Sequence, residues 1–209
     1  MKIPHKLRVL SKLGWSILHS LLLRRRRPVF VGLYITNLCN LRCQYCFVNI
    51  EGRFDDPKRR GFSKEEVFRI VDELYDMGTR WIFLLGGEPL MHSDIGQIVR
   101  YITDKGILLH ILTNGVLIES KINEIEPADS ICISVDGGEA STDKMRGAGT
   151  FKKALRGVEI ALSRGMLVRL HAVLSRHSLG EMEMLAEMAR GMGVSITISP
   201  PNYLGASAD

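Results

Sequence analysis

Three cysteines within eight residues, Cys39-Asn40-Leu41-Arg42-Cys43-Gln44-Tyr45-Cys46, are the side chains of this sequence best suited to chemistry. Their C-x3-C-x2-C spacing offers three soft thiolate donors, and the only other cysteine, Cys132, lies far along the chain. A structural zinc site closes with four protein ligands, whereas a catalytic metal centre keeps one position open; the same logic extends to iron. On spacing alone three readings stand: an iron–sulfur site with one open iron, a zinc site, or a Cys43–Cys46 redox dithiol that leaves Cys39 idle. Four cysteines in a chain of this length do not suggest a disulfide framework.

Further polar groups recur downstream. Gly86-Gly87-Glu88-Pro89 follows the apolar run Trp81–Leu85. Glycines without a Cβ let backbone approach a ligand closely, and a plain turn has no need of a glutamate between glycine and proline. Ser134 and Asp136 precede Arg146, whose planar guanidinium suits bidentate binding of a carboxylate. The plainer alternative makes Asp136 a turn former and Arg146 a surface charge. Asn114 either faces a nucleoside or shapes a turn with Gly115. Arg169 and His171 share one strand face by period-2 alternation, and His171 reads equally as a ligand contact or a satisfied core histidine. Cys132, between Ile131 and Ile133, reads as a small buried hydrophobe. His92 follows the Gly-Gly-Glu-Pro turn, where the sequence does not decide its role.

The elements that must hold these groups alternate regularly. Short β-rich runs at 29–35, 81–85, 108–113, 131–135, 167–173 and 194–198 are separated by helix-period segments at 63–77, 94–105, 118–125, 151–164 and 180–191. Ser63 with Glu66 forms a capping-box pattern, and glycines at 78, 106, 165 and 193 mark helix-to-strand turns. Six β/α repeats imply an α/β fold of parallel strands with right-handed crossovers, either a partial barrel or a doubly wound open sheet. No G-x-G-x-x-G follows the first strand. In both architectures ligands bind at the C-terminal ends of strands, and the motifs above gather there.

The cysteine spacing, with an aromatic before the last cysteine, and the Gly-Gly-Glu-Pro turn together resemble the radical S-adenosylmethionine (radical SAM) superfamily. The resemblance spans roughly residues 29–202 and is nearest to the core barrel of its peptide-modifying branch. It implies a partial (β/α)6 TIM-like barrel, with Cys39, Cys43 and Cys46 holding a [4Fe–4S] cluster whose fourth iron is chelated by S-adenosyl-L-methionine. It further implies that Gly86, Gly87, Glu88 and Pro89 receive the methionyl ammonium, and that Ser134 and Arg146, with Asp136 beside them, hold the carboxylate. Asn114 and His171 join them as candidate cofactor contacts. The implied chemistry is reductive cleavage to a 5′-deoxyadenosyl radical that abstracts hydrogen from a peptide, lipid or small metabolite. It also implies a one-electron donor such as flavodoxin or ferredoxin. The alternative is a non-catalytic Fe–S or SAM-binding module, or a truncated piece of a larger radical SAM protein, since peptide-modifying relatives carry a further cysteine-rich domain.

Charge separates the N-terminus from the body. The eight Lys/Arg of residues 1–27, with no acid among them, exceed the net charge of +5, so everything after Arg27 is net −3. Residues 1–27 are expected to be a basic amphipathic helix, with the barrel at 28–209. Its apolar part is too short to span a bilayer, and four arginines stand where a signal peptide would need its cleavage site. Residues 4–27 therefore either touch an anionic membrane surface peripherally from the cytoplasmic side or cap the barrel. Nucleic-acid binding is not expected, because no aromatics interleave the basic residues.

Overall fold

The computed structural model describes residues 11, 14, 15, 18, 22, 28–46 and 61–200. Six strands, β1 (Phe30–Tyr34), β2 (Trp81–Leu85), β3 (Leu108–Thr113), β4 (Ser130–Ser134), β5 (Leu167–Val173) and β6 (Ser195–Ser199), form one sheet in sequence order. Every pairing is parallel, and β6 does not return to β1, so the barrel stays open. Helices α1 (Lys64–Met77), α2 (Ile95–Asp104), α3 (Ile118–Ile125), α4 (Glu139–Arg146), α5 (Thr150–Ser163) and α6 (Met182–Gly191) fill the crossovers.

The expected strands at 81–85, 108–113 and 167–173 match as read, and the other three shift by about one residue. One helix was not expected. The segment Glu139–Arg146 carries no apolar stripe, because its buried positions are Ser141, Thr142, Met145 and Arg146. Elsewhere local signals and structure agree. Ser63 and Glu66 complete their capping box, worth about 1 kcal/mol, and Gly78 closes the same helix at φ 104°.

Alternation splits each strand between two environments. Ile82, Leu84, Ile111, Ile131, Ile133, Leu170 and Ala172 point outward and are fully buried with Val71, Ile98, Ile118, Val158 and Leu185 from the helices. Each large aliphatic buried this way contributes about 1.5–3 kcal/mol. The opposite face of the sheet looks into the open barrel. Register sets its side chains in rows: Tyr34, Leu85, Leu112, Cys132, Arg169 and Ser195 lie on one level. Ser134, His171 and Thr197 form the next level toward the C-terminal ends.

The chain leaves β1 through Thr36 and comes back beside it. Thr36 and Gly61 form an isolated antiparallel bridge, and Phe62 N–H donates to Ile35 O at 3.0 Å. Gly61 is required there: its φ is 106°, and a Cβ would stand 2.4 Å from Ile35 O.

Within residues 1–27, the described Ser11, Gly14, Trp15, Leu18 and Leu22 are helical and exposed. The expected helix boundary and membrane contact otherwise fall outside the described residues. Among the described residues no helix is long and apolar enough to cross a membrane.

Candidate functional site

The cysteine loop runs from the end of β1 across the C-terminal rim, and each neighbouring element ties it down. Leu38 N–H donates to Thr36 Oγ1 at 3.1 Å. From the β2 side, Gly87 N–H donates to Thr36 O and Glu88 N–H to Leu38 O, both at 2.7 Å. These two bonds continue the parallel ladder past the strand ends, so the Gly-Gly-Glu turn lies against the residues that lead into Cys39. That closeness explains the glycines. A Cβ on Gly87 would stand 2.5 Å from Leu38 O and 2.6 Å from Asn37 O, and one on Gly86 would stand 2.7 Å from Thr36 O. From β3, Asn114 Nδ2 donates to Asn40 Oδ1 at 2.7 Å. From α4, Met145 O accepts from Gln44 N–H at 2.9 Å and Lys144 O from Gln44 Nε2 at 3.0 Å.

Glu88 is buried and works as a brace. Its Oε1 accepts from Thr113 Oγ1 at 2.7 Å and Leu90 N–H at 3.1 Å, and its Oε2 accepts from Asn114 N–H at 2.8 Å. Burial pushes its carboxyl above the ordinary range, opposed by the Asn114, Thr113 and Leu90 donors. Pro89 begins a short 3-10 turn, Pro89–Met91, that closes the loop behind it.

Asp136, fully buried just past β4, accepts four hydrogen bonds. Oδ2 takes Arg146 Nε at 2.8 Å and Tyr45 OH at 2.6 Å; Oδ1 takes Arg146 NH2 at 2.8 Å and Val173 N–H at 3.0 Å. A carboxylate has about four acceptor sites, so this one is saturated. Burial works against the Arg146 charge, but Asp136 and Tyr45 outweigh it and raise its pKa further. The guanidinium carbon also lies 5.5 Å from the centre of the Tyr45 ring, within cation–π range. Arg146 thus spends one edge on Asp136 and keeps NH1 and one NH2 hydrogen for other acceptors.

These contacts bring eight of the twelve expected site residues around one cavity: Cys39, Cys43, Gly86, Gly87, Glu88, Asn114, Ser134 and Arg146. Tyr34, Leu85, Leu112 and Thr113 complete its wall. Cys46 lies on the same loop, Pro89 behind the turn, and Asp136 behind Arg146. His171 stands one strand away, with Nε2 at 2.9 Å from Ser199 Oγ. Burial and the Arg146 charge push its pKa down. Sequence reasoning did not single out Asn40, Gln44 or Thr113, nor the hydroxyl of Tyr45. Period-2 alternation from the first strand could have flagged Tyr34.

Cys39 and Cys43 are poised against ionisation. Burial raises Cys39 to about 12, with Glu88, Cys43 and Cys46 adding to the rise and the Leu41 N–H opposing it. Burial raises Cys43 to about 11, opposed chiefly by Arg146. All four described cysteines are free. Among the described residues no three His, Cys, Asp or Glu side chains are gathered to grip one ion. The donor set is what fits an iron–sulfur cluster: three soft thiols suit iron–sulfur ligation, and a bound cationic centre would reverse the raised pKa values of Cys39 and Cys43.

Comparisons with known proteins bear on the family and the fold. A family model described as the radical SAM superfamily matches residues 33–189. The chain is 30% identical over 172 residues to AdoMet-dependent heme synthase of Methanosarcina barkeri, covering 79% of this chain and 48% of that protein. It is 31% identical over 188 residues to mycofactocin maturase MftC of Mycobacterium ulcerans, covering 87% and 50%. Among solved structures, Streptococcus suis SuiB bound to S-adenosylmethionine superposes with a TM-score of 0.74 at 20% identity, over 84% of this chain and 41% of that one. The likeness to SuiB speaks for the fold. The chain spans about half the length of the curated relatives it matches.

Proposed function

The chain belongs to the radical SAM superfamily, and from that premise we propose that Cys39, Cys43 and Cys46 hold a [4Fe–4S] cluster and that the adjoining cavity binds S-adenosyl-L-methionine. The observation that carries the proposal is the hydrogen-bonded seam between the two loops: Gly87 N–H to Thr36 O and Glu88 N–H to Leu38 O, both at 2.7 Å. It fixes the Gly-Gly-Glu turn beside the thiols, so a ligand chelated at the open iron would meet the turn as well. When bound, the cluster and SAM supply reductive cleavage to methionine and a 5′-deoxyadenosyl radical that abstracts hydrogen from the substrate.

The chain's own residues would receive the ligand as follows. The C=O groups of Gly86 and Gly87, on the cavity wall, would accept from an ammonium. Ser134 and the free edge of Arg146 donate to a carboxylate, with Asp136 and Tyr45 keeping that edge turned toward the cavity. Asn114, already bonded to Asn40, stands where a nucleoside would pass, and His171 lies beyond it on the inner wall. The electrons would come from a donor of the flavodoxin or ferredoxin type. The substrate classes to test first are peptides and haem-type tetrapyrroles, the classes implied by the names of the relatives.

Anaerobic reconstitution tests this directly. Wild type should take up iron and sulfide with a reducible [4Fe–4S] signal and release 5′-deoxyadenosine from SAM. Cys39→Ala, Cys43→Ala and Cys46→Ala should each lose the signal. A cluster that assembles without SAM cleavage would favour a non-catalytic binding module. Zinc in place of iron would overturn the assignment.

A further inference from the structure

The inner face of the sheet has two chemistries. On β1–β3 it is mostly apolar, with Phe30, Tyr34, Trp81, Phe83, Leu85 and Leu112 facing inward and one imidazole, His110, stacked on Phe83 at 5.3 Å. Rings pack edge-on there, Phe30 against Trp81 at 5.4 Å and against Phe83 at 5.8 Å. On β5 and β6 it is polar. Arg169 projects from this side into the open barrel and is exposed, while its strand neighbours Val168 and Leu170 are buried against the helices.

Some arginines of the body have acidic partners. Arg146 pairs with Asp136, Arg156 with Glu119 and Glu159, and Arg164 with Glu126. Among the described residues, the one polar contact of Arg169 is Nε to Ser195 Oγ at 3.3 Å. Its level of the wall, Tyr34, Leu85, Leu112, Cys132 and Ser195, holds no acid. NH1 and NH2 are therefore available as a two-pronged donor, and Ser195 Oγ, accepting from Nε, keeps its own hydrogen to donate. Thr197 places a second exposed hydroxyl on the same face. Tyr34, Leu85 and Leu112, on this same level, also line the candidate cofactor cavity. Two strand spacings of about 4.8 Å separate Leu112 from Arg169, so the cation stands roughly 10 Å around the wall from that cavity.

We propose that Arg169 anchors an anionic oxygen group of the substrate, a carboxylate or a phosphate, with the substrate's apolar part lying along the β1–β3 wall toward the cavity. This rests on the reading of the open barrel as the chamber where substrate meets the cofactor, and it narrows the substrate class to amphipathic anions.

The test is equilibrium dialysis of three probes against the anaerobically reconstituted, SAM-loaded full chain: 4-phenylbutyrate, 2-phenylethyl phosphate and the neutral 4-phenylbutyramide. At least one anion should bind roughly ten- to a hundredfold more tightly than the amide, the range expected for hydrogen bonds to a charged group. The tighter anion identifies the source. Arg169→Gln should abolish the preference, and Arg169→Lys should keep part of it; melting curves separate lost binding from lost folding. If Arg169→Gln does not fold, Arg169→Lys decides alone: a reduced preference supports the anchor, and an undiminished one counts against it. Equal binding of anions and amide, or a preference that survives in Arg169→Gln, overturns the proposal. 5′-Deoxyadenosine release is measured on the same samples, so failure of SAM cleavage would count against the cofactor assignment and not against the anion site.

Discussion

Replacing Asp136 by asparagine should destabilise the fold more than any other isosteric change near the site. The carboxylate is fully buried and accepts from Arg146 Nε, Arg146 NH2, Tyr45 OH and Val173 N–H at 2.6–3.0 Å. Asparagine has nearly the same shape but no charge, and its amide nitrogen must face a donor: Arg146 and Tyr45 on one side, or Arg146 and Val173 on the other. Breaking a buried ion pair by removing one partner costs about 3–5 kcal/mol, because the remaining charge stays uncompensated. The expected loss is therefore about 3 kcal/mol or more, out of a total stability that for most domains is only about 5–15 kcal/mol. Guanidinium unfolding of reduced, cluster-free protein would measure it. Tyr45→Phe removes one of the four donors and should cost about 1 kcal/mol. Exchanging the pair together, Asp136→Leu with Arg146→Met, should cost less than the sum of the single changes, since neither charge is then stranded. If Asp136→Asn stays within about 0.5 kcal/mol of wild type, or the double exchange is additive, the pair does not act as a unit and the account of how Arg146 is oriented fails.

Two further changes test other parts of the structure. His110 is held down to about 4, first by burial and then by the Arg169 charge, against a weaker opposing pull from Asp129. The native state therefore takes up this proton later than the unfolded chain, and stability should fall as pH drops from about 6.5 toward 4. The contribution is about 2 kcal/mol after allowing for solvent at the open face, and His110→Gln should flatten that part of the melting-temperature profile; parallel profiles would refute it. Gly87→Ala would drive a methyl into Leu38 O and Asn37 O. A loss of about 1–3 kcal/mol is expected, together with reduced iron uptake from displacement of Cys39; unchanged melting and iron content would show that the seam yields without cost.

The strand-and-helix repeat was legible because each β run is short, apolar and followed by a glycine- or polar-rich turn. The gathering of motifs on one rim followed from that repeat. What stayed hidden were pairings across long separations. Tyr45 and Asp136 are 91 residues apart, and Asn40 and Asn114 are 74 apart, so no local pattern announces either bond. The helix Glu139–Arg146 stayed hidden for a different reason. It buries polar side chains that find hydrogen-bond partners, such as Thr142 Oγ1 with Gly137 O at 3.0 Å, and periodicity sees only apolar ones. The role of Asp136 shows the same limit: its position after a strand suggested ligand contact, whereas its acceptor sites are filled by protein.

The bridge between Thr36 and Gly61 makes the thiol-bearing stretch an excursion whose two roots are stitched together on the sheet. The sheet itself therefore sets where this stretch departs and where the chain rejoins it, and the level at which Cys39, Cys43 and Cys46 are presented is decided at Thr36 and Gly61 before the chain reaches the first thiol.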